Sequence, residues 1–469
     1  MYDSENLLSY YSYGAFESSV IVFLLIGISL LFVSVSRVYF ARWVNPVSLV
    51  ICWWIFWLCV SMTNEIGVYK PSLATILLVV SFIFFILLGS IFYLIQHPIN
   101  NRANFELVTA ANSIMFQNRK LVLGVILILS SPVIYGFLNN VSEMLDPIAY
   151  VNKVRGENGL YRSAFGSKTL GYFVTGFSML AMFAGVYIGL VIYQKHKRIV
   201  IFAVSAVLLV LYSLVTQERL GIVLILYALF IRVMVSNMLA GEKIFTKRVV
   251  GGISFFLVIA VLLTGIRNGE LSLFEIINNY ALMYHVIGFS VFDHFLWHNS
   301  STIFASPELG RVSLGFFDRL LFIVSKLSGL EFYSSRGLEM NILTASYIVV
   351  GHSANGQPIE VNALSTILMP LYLDGGLLFL VIFGFVIGFY VAKFYVKAKS
   401  GRSEQRMGYE CLLMVFLYAL IGSIYQGVFS NQFFWGSVLF IYVFSQVKLG
   451  FRLTENDKKL CVKPVEKGS

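Results

Sequence analysis

Charge is scarce in this chain. Only 12% of its 469 residues are charged, against about 25% in soluble globular domains. Hydrophobic residues make up 58%, the mean hydropathy is +0.81, and uncharged apolar runs long enough to cross a bilayer recur along the whole length. These runs are continuous rather than alternating, which favours helices over a barrel. The sequence therefore predicts an all-α polytopic membrane protein.

Cysteine is also scarce, and the N-terminal segment has no basic residue. The four cysteines show no metal-ligand spacing, which argues against a zinc site or a disulfide framework. The acidic start, MYDSEN, argues against a cleaved signal peptide.

We predict eleven membrane-spanning helices, at residues 18–37, 45–62, 72–95, 120–140, 169–193, 198–215, 220–239, 249–266, 375–393, 409–428 and 432–448. With the N-terminus outside, about two thirds of the 34 lysines and arginines fall on the inner side, as the positive-inside rule requires. This orientation gives a periplasmic N-terminus and a cytoplasmic C-terminus.

The spans imply one transmembrane domain over residues 1–469. It contains a long outer loop at 267–361, partly helical, and a basic inner tail at 450–469. The apolar segment 361–374 is either re-entrant or part of the ninth span.

Several signatures of soluble enzymes are missing. The chain has no D-x-D, and its aspartates are isolated, which disfavours a metal-dependent transferase that uses a nucleotide sugar. P-loop and G-x-S-x-G motifs are also missing. We therefore expect neither a metal nor a cofactor.

Two arginines stand at the predicted outer ends of neighbouring spans. Glu218 and Arg219 lie in the turn before the seventh span, and Arg267, in LTGIRNGE, directly follows the eighth. Spans seven and eight form an antiparallel hairpin, so their outer ends are expected to lie side by side. Two guanidinium groups there suit a lipid diphosphate, because each offers fixed, permanently charged donors. The alternative is a pair of snorkelling interface arginines.

The long outer loop is rich in histidine and carboxylate, the groups that suit a general base. Within DHFLWH, His294 and His298 share one helix face, as zinc ligands do, but no H-E-x-x-H is present. An interfacial helix with aromatic anchors is the favoured interpretation of this stretch.

A second helix is predicted within the loop at residues 314–332. Its polar positions, Asp318 with Arg319 and Ser325 with Lys326, recur after seven residues, which places a polar stripe on an apolar cylinder. Such a helix suits the outer membrane interface. An extra span is the alternative, although it would turn the basic tail outward.

Three stretches resemble the Wzy-type polymerases of O-antigen and related bacterial polysaccharides. They are TQERLGIVLILYALF, LTGIRNGE and NALSTILMPLYLDGGLLFLVIFGFVIGFYVAKFYV. In the last, the resemblance is carried by small and polar residues, namely Ser365, Thr366, Asp374, Gly375, Gly376, Gly384 and Gly388. The first departs from the family's commoner glycine-rich form, since Gln217 and Glu218 precede Arg219.

The resemblance implies a fold distantly similar to other membrane glycosyltransferases, and a metal-independent glycosyl transfer at the periplasmic face of the bacterial inner membrane. Donor and acceptor are oligosaccharides on undecaprenyl diphosphate, and the lipid diphosphate leaves. The expected diphosphate clamp is Arg219 with Arg267, supported by Arg155, Arg162, Arg311 and Arg336. The expected base is His352, followed by Glu218 and Glu360.

Two other functions compete with a polymerase. An O-antigen ligase needs the same donor chemistry. A flippase or transporter of lipid-linked oligosaccharides is disfavoured because the predicted spans carry almost no charge in their middle thirds. A chain-length regulator is a further expected partner, and nucleic acid is not.

Overall fold

The computed structural model describes residues 13–63, 67–99, 113–155, 164–240, 282–298, 310–329, 347–352, 356–361, 366–401, 404–424 and 427–447. Two compact units divide the chain. Unit 1 comprises Met1–Pro98, Glu270–Lys393 and Phe416–Trp435, and unit 2 comprises Ile99–Gly269, Phe394–Val415 and Gly436–Ser469.

The structure is mostly helical. In the described residues up to Ala240, the helices are α1 (Ala15–Phe40), α2 (Pro46–Ser61), α3 (Leu73–Gln96), α4 (Ile114–Gln117), α5 (Arg119–Asn140), α6 (Pro147–Arg155), α7 (Lys168–Phe173), α8 (Met179–His196), α9 (Val200–Thr216) and α10 (Leu220–Ala240). After these come α11 (Met283–His298), α12 (Gly315–Leu327), strands β1 (Ile348–His352) and β2 (Pro358–Val361), α13 (Leu368–Ser400), α14 (Arg406–Gly422) and α15 (Phe434–Gln446).

Each predicted span coincides with a helix of the structure, except 249–266, which lies outside the described residues. Within the described ranges, six helices are long and apolar enough to cross a membrane: Ala15–Phe40, Leu73–Gln96, Arg119–Asn140, Leu170–His196, Leu220–Leu239 and Leu368–Ser400. The fourth of these includes a π-helical turn, Val174–Ser178, that joins α7 to α8. This confirms the coarse prediction of a helical protein with membrane-spanning character.

Close helix packing in unit 1 uses small residues. A Cβ added at Gly388 of α13 would stand 2.0 Å from the Ile86 carbonyl oxygen, and one at Gly89 of α3 would stand 1.9 Å from the Phe385 carbonyl oxygen. Ser90 Oγ donates a hydrogen bond of 2.8 Å to the Gly388 carbonyl. Small residues allow such backbone contact between helices in apolar surroundings.

The segment 361–374 is partly helical and precedes a break. α13 begins at Leu368 and is interrupted at Gly375 and Gly376. Gly376 has φ +61° and ψ −148°, a conformation that side chains with a Cβ rarely adopt. The helix therefore reorients immediately after Asp374.

The predicted all-α fold needs one correction. Strands β1 and β2 form an antiparallel hairpin in which Val349 pairs with Glu360 and His352 with Pro358. Val68 adds an isolated bridge to Gly351. β1 begins with three β-branched residues, Ile-Val-Val, which favour a strand. Only helices were predicted for this chain from its sequence, and the strand was not.

The DHFLWH stretch forms the end of α11, but its aromatic groups differ in environment. Phe295 is buried in unit 1, whereas Trp297 is half exposed. Phe289 and Phe292, earlier in the helix, are fully buried. The predicted helix is confirmed. The predicted set of aromatic surface anchors is reduced to Trp297, because α11 packs against α2, α3 and β1.

The expectation of almost uncharged spans is wrong for α10. Arg232 lies in the middle third of that helix and forms a buried ion pair with Glu410 of α14. Both residues belong to unit 2. A charge in apolar surroundings needs an opposite charge beside it, and here that partner lies 178 residues away along the chain.

Candidate functional site

The turn before α10 holds Glu218 and Arg219 in unit 2. Gln217 ends α9 with φ +54°, and the Arg219 carbonyl accepts the N–H groups of Ile222 and Val223 as α10 begins. Tyr212 donates its hydroxyl to Glu218 Oε2 over 2.8 Å. The turn is therefore fixed from both sides, and Arg219 stands half-buried at the junction of two apolar helices.

A glycine brings these two helices close together. A Cβ at Gly221 would stand 2.3 Å from the Leu209 carbonyl oxygen, so any larger residue would push α10 away from α9. The TQERLG stretch thus combines a helix end, a tight turn and a close approach. The two charged residues that interrupt the long apolar run therefore lie in the turn between two helices.

Helix α6 is tied to the same end of α9. Tyr150 is only 1% exposed, and its hydroxyl donates a hydrogen bond of 2.7 Å to the Val215 carbonyl. Burial raises the pKa of this phenol, with a further contribution from Glu143. Tyr150 therefore stays protonated as a donor. α6 ends at Arg155, one of the predicted support residues, and both α6 and the Arg219 turn belong to unit 2.

Asp374 anchors a second site, in unit 1. Its carboxylate is fully buried and accepts the backbone N–H of Val312 over 2.9 Å and that of Ser313 over 2.7 Å. Gly310, with φ +91°, allows the turn that aims these N–H groups at one carboxylate. The sequence placed Asp374 only at the start of a span, whereas the structure makes it the acceptor that orders residues 310–313.

The polar stripe of α12 faces the protein. Asp318, Arg319 and Ser325 are buried. Among the α12 side chains that the structure describes, the exposed ones are apolar: Phe317, Leu320, Leu321 and Val324. Arg311 Nε lies 3.8 Å from Asp318 Oδ1, and the Arg311 side chain is one-third exposed. Arg319 lies over the Phe322 ring at 5.1 Å. Asp318 and Arg319 are therefore kept inside, and the described outer surface of α12 is apolar. A position of α12 at a membrane interface stays a prediction.

His352 lies at the end of strand β1 in unit 1. Its backbone N–H donates to the Gly67 carbonyl, and its Nδ1 lies 3.1 Å from the Tyr69 hydroxyl. Burial raises the pKa of Tyr69, which keeps that hydroxyl protonated. The imidazole is exposed and oriented by one neighbour, a geometry compatible with a general base. Glu360, on the paired strand, is also exposed.

The remaining predicted site residues lie mostly outside the described residues. This applies to Arg162, Arg267 and Arg336, so the pairing of Arg219 with Arg267 stays a prediction. For Arg155, the structure describes the helix but not the side chain.

One polar cluster was missed from the sequence. Asp293 is fully buried, and its Oδ1 accepts the hydroxyls of Ser72 and, over 2.5 Å, Thr75. The i, i+3 spacing of Ser72 and Thr75 at the start of α3 was the available signal, because it places both hydroxyls on one face. Asp293 therefore acts as a packing acceptor within unit 1.

No known protein family, curated protein or solved structure matches this chain.

We predict that Asp374→Asn destabilises the protein. The asparagine amide keeps one oxygen acceptor, but its NH₂ group replaces the other and faces a backbone N–H that then has no acceptor. Leaving a buried donor unsatisfied costs about 1–3 kcal/mol. Thermal unfolding in detergent should show the loss, and hydrogen exchange should become faster at the Val312 and Ser313 amides. The matched control is Asp146→Asn, because exposed Asp146 accepts the Ala149 N–H at the start of α6 and Asn caps a helix equally well. Equal stability and exchange in both variants would contradict the anchoring role.

Proposed function

We propose that this protein is a glycosyltransferase of the Wzy type, which joins oligosaccharide repeat units carried on undecaprenyl diphosphate. The proposed location is the periplasmic face of a bacterial inner membrane, with the N-terminus periplasmic and the C-terminus cytoplasmic. The apolar helices long enough to span a membrane and the sequence resemblance support this proposal.

The observation that carries the proposal is the fixed turn at Arg219. Its helices α9 and α10 are apolar, the Tyr212–Glu218 hydrogen bond holds the preceding residue, and the close approach at Gly221 holds the helices together. A guanidinium group carried on such a fixed turn can receive a phosphate with little movement of the backbone.

The chemistry follows from where charge develops. The acceptor's sugar hydroxyl attacks the anomeric carbon of the donor, its proton goes to the base, and the bond to the lipid diphosphate breaks with the electron pair staying on the diphosphate oxygen. Negative charge on the leaving group grows in the transition state. Arg219, with Arg267 as its proposed partner, stabilises that state more than the ground state. His352 is the proposed base.

Helix α12 adds support from unit 1. The exposed side chains that the structure describes in α12 are apolar, and its buried Asp318 pairs with Arg311. An amphipathic helix of this kind lies at a membrane interface. We propose that it borders the route by which a lipid-linked substrate enters, with Arg311 and Arg336 as secondary phosphate contacts.

A transporter or flippase is the second candidate, because of the buried Arg232–Glu410 pair. Ionisable groups inside membrane helices often mark substrate or proton pathways. A buried ion pair also serves simply to join two helices, and each partner compensates the other's charge. A ligase that transfers the finished glycan shares the polymerase chemistry.

Deletion of the gene distinguishes these three functions. The surface polysaccharide of the deletion strain is analysed by electrophoresis, and its lipid-linked intermediates are extracted and identified. Loss of a polymerase leaves single repeat units attached to the surface carrier. Loss of a ligase leaves long lipid-linked polymer with no attachment, and loss of a flippase leaves the repeat unit on the cytoplasmic side.

In that deletion strain, we predict that Arg219→Gln restores the protein but not the polymer. Removing one charged donor to a developing anion typically lowers the rate by about 10²–10³. The control is Arg198→Gln, which removes the same charge from an exposed position. Arg198 lies before the start of α9, whereas Arg219 lies after its end. Both variants should insert in equal amounts by immunoblot. Polymer at wild-type length and abundance with Arg219→Gln would refute its role.

We further predict that His352→Ala abolishes most chain extension while donor binding is retained. Loss of a general base lowers rates by about 10²–10⁴. Tyr69→Phe should have a much smaller effect, since it removes only the group that orients the imidazole. His97→Ala is the control, because His97 is exposed and stacks on Tyr93 at the end of α3. Unchanged turnover in His352→Ala would assign the proton transfer to another residue.

A further inference from the structure

An open groove of about 540 Å³ lies within unit 1 along the first half of α1. Its walls come from Tyr13 and one face of α1 between Ala15 and Ile26, from Met62 and Thr63 after α2, and from Lys70. The volume is in the range of sites for small ligands. None of these residues belongs to the proposed transferase chemistry.

Lys70 is the charged residue that lines this groove, and only 7% of it is exposed. Its Nζ donates to the Tyr13 carbonyl over 3.2 Å and to Ser18 Oγ over 2.8 Å. An ammonium group has three donors, so one remains. Among the described residues, no carboxylate forms an ion pair with Nζ.

Two carboxylates of the described residues lie near the groove, and neither forms an ion pair with Lys70. Asp293 lines a small adjoining cavity with Lys70, and its hydrogen bonds there go to the hydroxyls of Ser72 and Thr75, which Oδ1 accepts, rather than to Nζ. Glu17 is exposed and its Oε2 accepts the Gly14 N–H at the start of α1. A buried cation is stable when an opposite charge accompanies it. The groove therefore favours an anion at Lys70.

The other end of the groove is apolar. Val22, Phe23 and Ile26 continue along α1 from Ser18 and Ser19, and Phe23 and Ile26 are exposed. With a rise of 1.5 Å per residue, Ser18 to Ile26 spans roughly 12 Å. α1 is long and apolar enough to span a membrane, and only 11% of its apolar stretch is buried within the protein. The groove thus changes from cationic and hydroxyl-lined to apolar along a helix that faces outward.

We propose that this groove binds one anionic phospholipid of the surrounding membrane. The phosphate receives the third donor of Lys70 Nζ, with the Ser18 and Ser19 hydroxyls beside it, and an acyl chain lies against Val22, Phe23 and Ile26. A snorkelling lysine would extend its ammonium group to water. Lys70 instead turns its ammonium group into the wall of the groove, where a bound phosphate would gain a direct charge-assisted hydrogen bond.

The test uses the full chain in lipid nanodiscs that contain equal amounts of phosphatidylglycerol and diacylglycerol with the same chains. After extraction into mild detergent, native mass spectrometry should show phosphatidylglycerol retained by the wild type and diacylglycerol lost. Lys70→Gln should weaken retention about tenfold or more, because a charge-assisted hydrogen bond is lost. Lys195→Gln, at an exposed lysine at the end of α8, is the charge-matched control and should retain the lipid.

A second variant tests the groove without changing its charge. Ser19 is exposed, so Ser19→Trp fills the space and leaves the packing of α1 intact, and it should also lose phosphatidylglycerol. Equal retention by wild type, Lys70→Gln and Ser19→Trp would overturn the proposal. Retention of diacylglycerol as strongly as phosphatidylglycerol, displacement of the lipid by inorganic phosphate alone, or a gain of lipid after removal of residues 1–12 would also overturn it.

Discussion

A buried carboxylate in unit 1 organises the residues that lead into α12. Asp374 accepts two backbone N–H groups, from Val312 and Ser313, at a point where no water is required to satisfy them. In apolar surroundings an unsatisfied N–H group is costly, so this contact fixes where α12 begins. Once its start is fixed, the helix turns Asp318 and Arg319 inward and leaves an apolar surface outside.

The same rule explains the charged residues of unit 2. Arg232 and Glu410 neutralise each other between α10 and α14, and Glu218 receives the Tyr212 hydroxyl at the end of α9. Each charge is therefore held in one geometry by a defined neighbour. The proposed chemistry asks the same of Arg219, since a donor that is already oriented need not move as charge develops.

Much of the helical framework could be predicted, because apolar runs and turn residues are local features of the sequence. The direction of the α12 stripe could not. Periodicity shows that Asp318, Arg319 and Ser325 share a face, but not whether water or protein covers it. The Arg232–Glu410 pair and the Asp374 contact join residues far apart in the chain. The hairpin at His352 was hidden by its short strands, and the Tyr69 contact that orients the imidazole depends on that pairing.

The most direct test of the proposed chemistry is a structure of the full chain bound to undecaprenyl diphosphate. We expect the diphosphate oxygens within hydrogen-bonding distance of the Arg219 guanidinium, with Arg267 on the opposite side of the same group. A diphosphate bound away from Arg219, or an Arg219 side chain that faces bulk lipid and stands far from Arg267, would contradict the account.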